Sequence, residues 1–107
     1  MNVLFICSRN KWRSLTAETI YKNHSKIIVK SAGTEPSARI KISEKLLTWA
    51  DIIFVMEKKH KQRINEKFES ACIGKEIIIL DIADEFNYMD PELIEILKNS
   101  VDHYLEL

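Results

Sequence analysis

The sequence predicts a single α/β domain of three layers, in which a four-stranded parallel sheet carries helices on both faces. Short apolar runs alternate along the chain with segments whose apolar residues recur at helical spacing. One run, Ile77–Leu80, is wholly apolar, as is typical of a parallel strand buried on both faces. The 107 residues suffice for one core, and two Gly and two Pro leave little room for linkers. We therefore treat residues 1–107 as one domain.

Each element follows from its local pattern. The last helix has the clearest start, because Asp90 suits the N-cap, Pro91 the first helical position and Glu92 the first turn. The strands are predicted at Asn2–Ile6, Lys26–Lys30, Asp51–Met56 and Glu76–Leu80. The helices are predicted at Arg13–His24, Ala38–Trp49 and Lys58–Phe68, and from Asp90 onward.

The candidate catalytic residues lie in the loop between the first predicted strand and the first predicted helix, from Cys7 to Ser14. Such a loop points successive backbone N–H groups inward, and the helix dipole adds partial positive charge, so it can hold a tetrahedral oxyanion. The same field favours the thiolate of Cys7, the nucleophilic form. Arg13 offers a planar fork for two phosphoryl oxygens, and Ser14 can donate a hydrogen bond to the thiolate. The pattern predicts that Cys7 attacks a phosphate ester, with phosphate held by Ser8, Arg9, Asn10, Lys11, Trp12, Arg13 and Ser14.

Three ordered blocks resemble the low-molecular-weight protein tyrosine phosphatases. The first is the loop, with Cys7, Asn10, Arg13-Ser14 and Ala17-Glu18 at matching positions. The second is Ser31–Thr34, which we expect to form a tight turn supporting the loop, with Ser31 bonded to Asn10. The third is Ala50–Glu57, which resembles a strand ending in Met-Glu. The resemblance implies a phosphatase of the protein-tyrosine-phosphatase type that works through a phosphocysteine.

The chain departs from the family pattern at several positions of the loop. Arg9 stands where the family has Gly, so either a strained backbone at Arg9 or a local difference in the loop is expected. Trp12 replaces a second cysteine, which excludes a protective disulfide within the loop. Leu15 replaces a proline, and the chain is shorter than typical members, which suggests trimmed substrate-binding loops.

Phosphoryl transfer from an ester needs a general acid for the leaving group, and two aspartates are candidates. Asp90-Pro91 copies the family's Asp-Pro dipeptide, but here it runs directly into a helix and is better explained as a cap. Asp84 lies in a loop before aromatic residues. We predict Asp84 as the catalytic acid, with Asp90 as the alternative. Asp81, at a strand end, is expected to be structural.

Aromatic and histidine side chains supply further candidates. Phe86 and Tyr88 are predicted to form a wall against an aryl substrate, with packing on the core edge as the equal alternative. Trp12 can rim the same cleft, whereas Trp49 is assigned to the core. His24, His60 and His103 show no ligand spacing. We expect them at surface or boundary positions, and we expect no metal and no cofactor.

Charge and cysteine content limit the other functions. Formal net charge is zero, although residues 1–75 hold 15 of the 16 Lys and Arg and residues 76–107 hold nine of the 16 acidic residues. No aromatic interleaving accompanies the basic residues, so no nucleic-acid partner is expected. No apolar run approaches the ~20 residues that span a bilayer, so no membrane partner is expected either. The two separated cysteines, Cys7 and Cys72, indicate no disulfide framework and suit a reducing cytoplasm.

Three functions remain open at this point. The first is hydrolysis of a phosphotyrosine protein or a small aryl phosphate. The second is arsenate reduction on the same scaffold. Reductases with a thiol relay need further cysteines close together, while Cys72 stands alone, so an external thiol would have to take part. The third is a catalytically weak phosphate-binding module, favoured by Arg9 and the short chain and opposed by the intact Cys7, Arg13 and Ser14.

Overall fold

The computed structural model describes residues 1–107. Strands and helices alternate along the chain. The strands are β1 (Asn2–Cys7), β2 (Ile28–Gly33), β3 (Ile52–Val55) and β4 (Glu76–Ile79). The helices are α1 (Arg13–Tyr21), α2 (Glu44–Trp49), α3 (Lys58–Lys67), α4 (Glu69–Cys72) and α5 (Pro91–Leu105).

The four strands form one parallel sheet in the order β2-β1-β3-β4. In β1 the residues from Val3 to Ile6 are fully buried, because this central strand is covered on both faces. The predicted fold class is therefore confirmed. Since the strands are parallel, their carboxyl ends lie at one edge of the sheet, where α/β proteins bind ligands.

Alternate residues of β1 supply two separate cores. Val3, Phe5 and Cys7 face α1 and α5, and the apolar cluster there includes Tyr21, Leu97 and nearby side chains. Leu4 and Ile6 face the other side and pack in a second cluster with side chains from α2, α3 and α4. This alternation follows from the two-residue period of a strand, and it makes the sheet the middle of three layers.

Two predicted elements differ most from the structure, while β2 lies two to three residues later than predicted and the short helix α4 was not predicted. β4 is an edge strand, and Ile79 is 39% exposed, so its apolar run is not buried on both faces as expected. The helix predicted from Ala38 begins only at Glu44, because Ser43 caps it by accepting a hydrogen bond from the Leu46 N–H at 3.2 Å.

The segment before α2 is extended instead of helical. The Gly33 N–H donates to the Ile40 carbonyl at 2.8 Å, and the Ile42 N–H donates to the Gly33 carbonyl at 2.9 Å. These bonds extend the end of β2 and leave Ile40 41% exposed. Trp49, assigned to the core, is half-buried against the second cluster, with Lys30 Nζ 4.6 Å from its ring centroid.

None of the helices is both long and apolar enough to cross a membrane.

Candidate active site

The loop between β1 and α1 wraps around the sulfur of Cys7. The Asn10 N–H donates to Cys7 Sγ at 3.3 Å, and Ser14 Oγ lies 2.9 Å from the same sulfur. Cys7 is 3% exposed. No side chain caps the N-terminus of α1, so its first N–H groups remain available to an anion at the loop.

A chain of buried hydrogen bonds holds the loop in this shape. Asn10 Nδ2 donates to Ser14 Oγ and to Ser31 Oγ, both at 2.8 Å, and Ser31 donates in turn to Glu18 at 2.9 Å. Because Ser14 accepts from Asn10, its own proton can point either toward Cys7 Sγ at 2.9 Å or toward the more distant Ala32 carbonyl at 3.5 Å. The expected bond between Ser31 and Asn10 is therefore present.

The backbone strain falls on a different residue from the one expected. Asn10 has φ 58°, in the left-handed region that asparagine tolerates, whereas Arg9 is not among the residues with positive φ. Of the two alternatives for Arg9, the strained backbone is wrong, because the neighbouring Asn10 takes the positive φ.

Ser31–Gly33 ends β2, and the expected tight turn is not there. A Cβ at Gly33 would lie 2.5 Å from the Ser8 carbonyl oxygen and 2.7 Å from Ala38 Cβ. Glycine is required at this position because the end of β2 passes directly under the loop. The Ser8 carbonyl also accepts the Glu35 N–H at 2.9 Å, which ties the next segment to the loop.

Arg13 is the largest fully buried side chain in the protein, at 2% exposure. Its Nη1 donates to the Glu57 carboxylate and, at 2.8 Å, to the Ile82 carbonyl. Its Nε lies 3.7 Å from Asp84 Oδ1. A buried guanidinium needs such partners. Here they come from the end of β3 and from the loop after β4, so the fork is held from two sides.

The charge of Glu57 is stabilised by this contact. Burial alone would raise the pKa of the Glu57 carboxyl, but the hydrogen bond and positive charge of Arg13 outweigh burial and hold that pKa below its usual range. Glu57 is therefore a carboxylate at neutral pH and keeps Arg13 in place.

One cavity of about 380 Å³ opens over the loop at the carboxyl ends of the strands. It contains the nucleophile candidate, the arginine fork and one candidate acid in a single polar space. Its lining residues are Cys7, Ser8, Arg9, Lys11, Trp12, Arg13, Glu35, Lys59 and Asp84.

The three aspartates considered from the sequence lie in different places relative to the cavity. Asp84 lines the cavity beside Arg13. Asp90 is the N-cap of α5, where its side chain accepts the Glu92 N–H at 2.9 Å. Asp81 does not line the cavity and has φ 57° at the end of β4.

The aromatic residues take different places from one another. Trp12 lines the cavity and is 43% exposed. Phe86 packs against the first core, and Tyr88 Oη lies 2.9 Å from Thr19 Oγ1. Neither Phe86 nor Tyr88 lines the cavity, so the expected wall is not formed by them here. The alternative of packing at the core edge describes Phe86.

Sequence reasoning missed two residues of the site, Glu57 and His60. His60 was expected at a surface or boundary position, which is wrong, because it is fully buried. It completes a capping box at the start of α3: the Glu57 N–H donates to His60 Nδ1 at 3.0 Å. The spacing of His60 and Ile64, both buried on one helix face, was the available signal.

The second cysteine has no part in this site. Cys72 lies in the core cluster on the opposite face of the sheet from Cys7. Burial raises the pKa of its thiol, and its Sγ is 3.6 Å from the Ile64 carbonyl. A thiol relay between the two cysteines is excluded in this fold, which disfavours the arsenate reductase alternative.

The fold and the loop together define a class: a parallel α/β domain with a Cys-x5-Arg loop after its first strand. Similar solved structures are low-molecular-weight protein tyrosine phosphatases. One from T. tengcongensis has a TM-score of 0.78 and 21% identity, with 99% of this chain and 98% of that one covered. The tyrosine phosphatase Wzb from Escherichia coli K30, in complex with phosphate, has a TM-score of 0.77 and 21% identity, covering 98% and 96%.

The YwlE arginine phosphatase from Geobacillus stearothermophilus is also similar, with a TM-score of 0.76, 21% identity and coverage of 98% and 92%. No family model matches the sequence, and no curated protein sequence is significantly similar to it. The chain has the fold of the low-molecular-weight protein tyrosine phosphatases, which confirms the expected resemblance at the level of the fold.

Proposed function

We propose that this protein is a cysteine-dependent phosphatase in which Cys7 is the nucleophile, Arg13 binds the phosphoryl group and Asp84 is the general acid. The observation that carries the proposal is their convergence in one cavity, above a loop whose donors surround the sulfur. The similar structures, which include a tyrosine phosphatase with bound phosphate, support it. Residues 1–107 would act as one phosphatase domain.

The reaction would proceed in two displacements. The Cys7 thiolate attacks phosphorus, the P–S bond forms, and the P–O bond to the leaving group breaks while Asp84 gives that oxygen its proton. The Asp84 carboxylate then takes a proton from water, which attacks phosphorus and breaks the P–S bond. Phosphate leaves and the thiolate is restored. Arg13 and the N–H groups of residues 8–14 stabilise the charge on the phosphoryl oxygens in both steps.

The proposed substrate is a phosphotyrosine protein or a small aryl phosphate. Trp12 offers an exposed ring at the cavity, where an aryl group can pack against it. Phe86 and Tyr88 would contribute to that wall only after rearrangement of their loop. Both cysteines are free, and a thiolate nucleophile requires reducing conditions, which supports a cytoplasmic location.

A second candidate substrate is phosphoarginine. Two carboxylates line the cavity, Glu35 and Asp84, and neither Phe nor Tyr lines it. A substrate guanidinium would share these carboxylates with their present partners, Arg63 and Arg13. A similar structure is an arginine phosphatase. Comparison of kcat/KM on phosphotyrosine and phosphoarginine peptides of the same sequence would decide between the two substrates.

The function is tested by hydrolysis of p-nitrophenyl phosphate with wild type, Cys7→Ser and Cys72→Ser. We expect turnover by wild type and Cys72→Ser, and none by Cys7→Ser. Binding of phosphate by the wild type without any turnover would instead indicate the phosphate-binding module. Equal turnover by Cys7→Ser and wild type would contradict the assigned nucleophile.

A further inference from the structure

The buried imidazole of His60 has a defined tautomer. The Glu57 backbone N–H donates to Nδ1 at 3.0 Å, so Nδ1 bears no proton. In the neutral ring the proton is then on Nε2, which lies 2.9 Å from Ser8 Oγ. The imidazole therefore donates to Ser8, and the Ser8 oxygen is the acceptor in this bond.

This bond leaves the Ser8 hydroxyl proton free. No protein atom accepts it, and Ser8 lines the cavity together with Cys7 and Arg13. A hydroxyl fixed as an acceptor on one side has its O–H directed elsewhere, and the cavity is the polar space beside it. The arrangement provides a side-chain donor for an oxyanion held there.

Two features keep His60 in this role. Burial first, and then the positive charge of Arg13, lower the pKa of His60 to about 4, so the ring is neutral at neutral pH. A protonated ring would also place an Nδ1–H against the Glu57 N–H. The same ring thus fixes Ser8 on one side and the backbone of Glu57, the partner of Arg13, on the other.

We propose that the Ser8 hydroxyl donates a hydrogen bond to a phosphoryl oxygen in the cavity, and that His60 is the positioning residue that directs it. The inference rests on the proposed phosphatase function. It adds to the backbone N–H groups and Arg13 a donor whose direction is set by a residue 52 positions later in the chain.

The test uses inorganic phosphate as the probe, with binding measured by calorimetry and stability measured by thermal unfolding. Ser8→Ala should weaken phosphate binding by roughly tenfold or more, as expected for loss of a hydrogen bond to a charged group. Ser8→Thr keeps the hydroxyl and should recover most of that loss. Ser43→Ala, which removes the cap of α2, is the matched control: it should lower the melting temperature without changing phosphate affinity.

His60 is tested through its coupling to Ser8. His60→Leu should weaken phosphate binding at least as much as Ser8→Ala, because it also releases Glu57, and adding Ser8→Ala to His60→Leu should weaken binding no further. His60→Gln, whose amide can both accept from Glu57 and donate to Ser8, should restore binding in part. If His60→Leu does not fold, the contrast between Ser8→Ala and Ser8→Thr decides the matter.

Wild-type phosphate affinity in Ser8→Ala, with a lowered melting temperature, would overturn the inference and show that the bond only holds the loop to α3. That outcome leaves the proposed phosphatase intact. Failure of the wild type to bind phosphate or hydrolyse p-nitrophenyl phosphate would instead overturn the proposed function, and this inference with it.

Discussion

Cys7 and Cys72 are both buried, at 3% and 7% exposure, but they lie on opposite faces of the same sheet and in opposite surroundings. Around Cys7 are the Asn10 backbone N–H and the Ser14 hydroxyl, which lies nearer to the sulfur, at 2.9 Å, than to its other acceptor, the Ala32 carbonyl, at 3.5 Å. Around Cys72 are apolar side chains, and its one polar neighbour is an acceptor, the Ile64 carbonyl.

The difference shows that burial by itself does not determine what a thiol can do. Donors stabilise a thiolate, whereas an apolar shell with a carbonyl acceptor stabilises the thiol. Position in the fold creates the contrast. Cys7 ends a central strand at the sheet edge where the Asn10 N–H of the loop points at its sulfur, and Cys72 ends a short helix packed against the opposite face of the sheet.

Alkylation gives the largest separation of the two cysteines. With iodoacetate at mildly acidic pH, Cys7 should react much faster than a free thiol and Cys72 should hardly react, because only Cys7 has thiolate-stabilising donors and a cavity for the anionic reagent. Mass spectrometry of the modified peptides would measure both rates. Inorganic phosphate should protect Cys7. Comparable alkylation rates at Cys7 and Cys72, or no protection of Cys7 by phosphate, would contradict the difference in reactivity that we expect.

Arg13→Lys tests the buried guanidinium near Cys7, a group that has no counterpart around Cys72. Lysine keeps the charge but cannot bind two oxygens in a plane. We expect turnover of p-nitrophenyl phosphate to fall on the order of tenfold to a thousandfold. Exposed Arg63→Lys is the control, since Arg63 does not line the cavity and lysine keeps the charge that pairs with Glu35. Near wild-type turnover in Arg13→Lys would mean that charge alone suffices.

The two aspartates should differ as the two cysteines do. Asp84→Asn should slow hydrolysis of phosphotyrosine far more than hydrolysis of p-nitrophenyl phosphate, because a nitrophenolate leaves readily without a proton. Asp90→Asn should affect neither by much, and should cost at most about a kcal/mol of stability, since Asn caps helices nearly as well as Asp. The reverse pattern would transfer the acid's role to Asp90.

The last expected effect concerns stability in acid and leaves turnover at neutral pH aside. Because the folded pKa of His60 is lowered to about 4, folding favours its neutral form. Its contribution to stability is fully present above the unfolded pKa of about 6.5 and is lost as pH falls from there toward 4, at up to about 1.4 kcal/mol per pH unit. The charged groups that shape this titration are Arg13, Glu57, Lys59 and Arg63.

Urea unfolding at several pH values would measure this loss. His60→Gln should be less stable than wild type at neutral pH but should lose less stability between pH 6.5 and 4. His103→Gln, at an exposed position, should follow the wild-type profile. Parallel profiles for wild type and His60→Gln would show that the buried ring does not govern this window.

The sequence alone was sufficient for the features that depend on local pattern. Apolar runs and helical spacing predicted the order of strands and helices, and Asp90-Pro91 predicted the start of α5. The Cys-x5-Arg spacing after a strand predicted the loop. Local sequence preferences gave the wrong structure where strand pairing determines it. Residues 40–42 form hydrogen bonds with the end of β2 instead of starting a helix. The apolar β4 lies at an edge of the sheet, because the order of the strands determines which of them are central.

Only the tertiary structure decided which distant residues complete the site. Glu57 and Ile82 hold Arg13, His60 directs Ser8, and Asp84 lies in the cavity while Asp90 does not. No local rule links these positions, because they meet through the order of parallel strands and the close approach of their carboxyl ends. The loop with Cys7 and Arg13 can be recognised from the local sequence. The residues that hold it, such as Glu57 and His60, come close to it only because the parallel sheet brings their segments together.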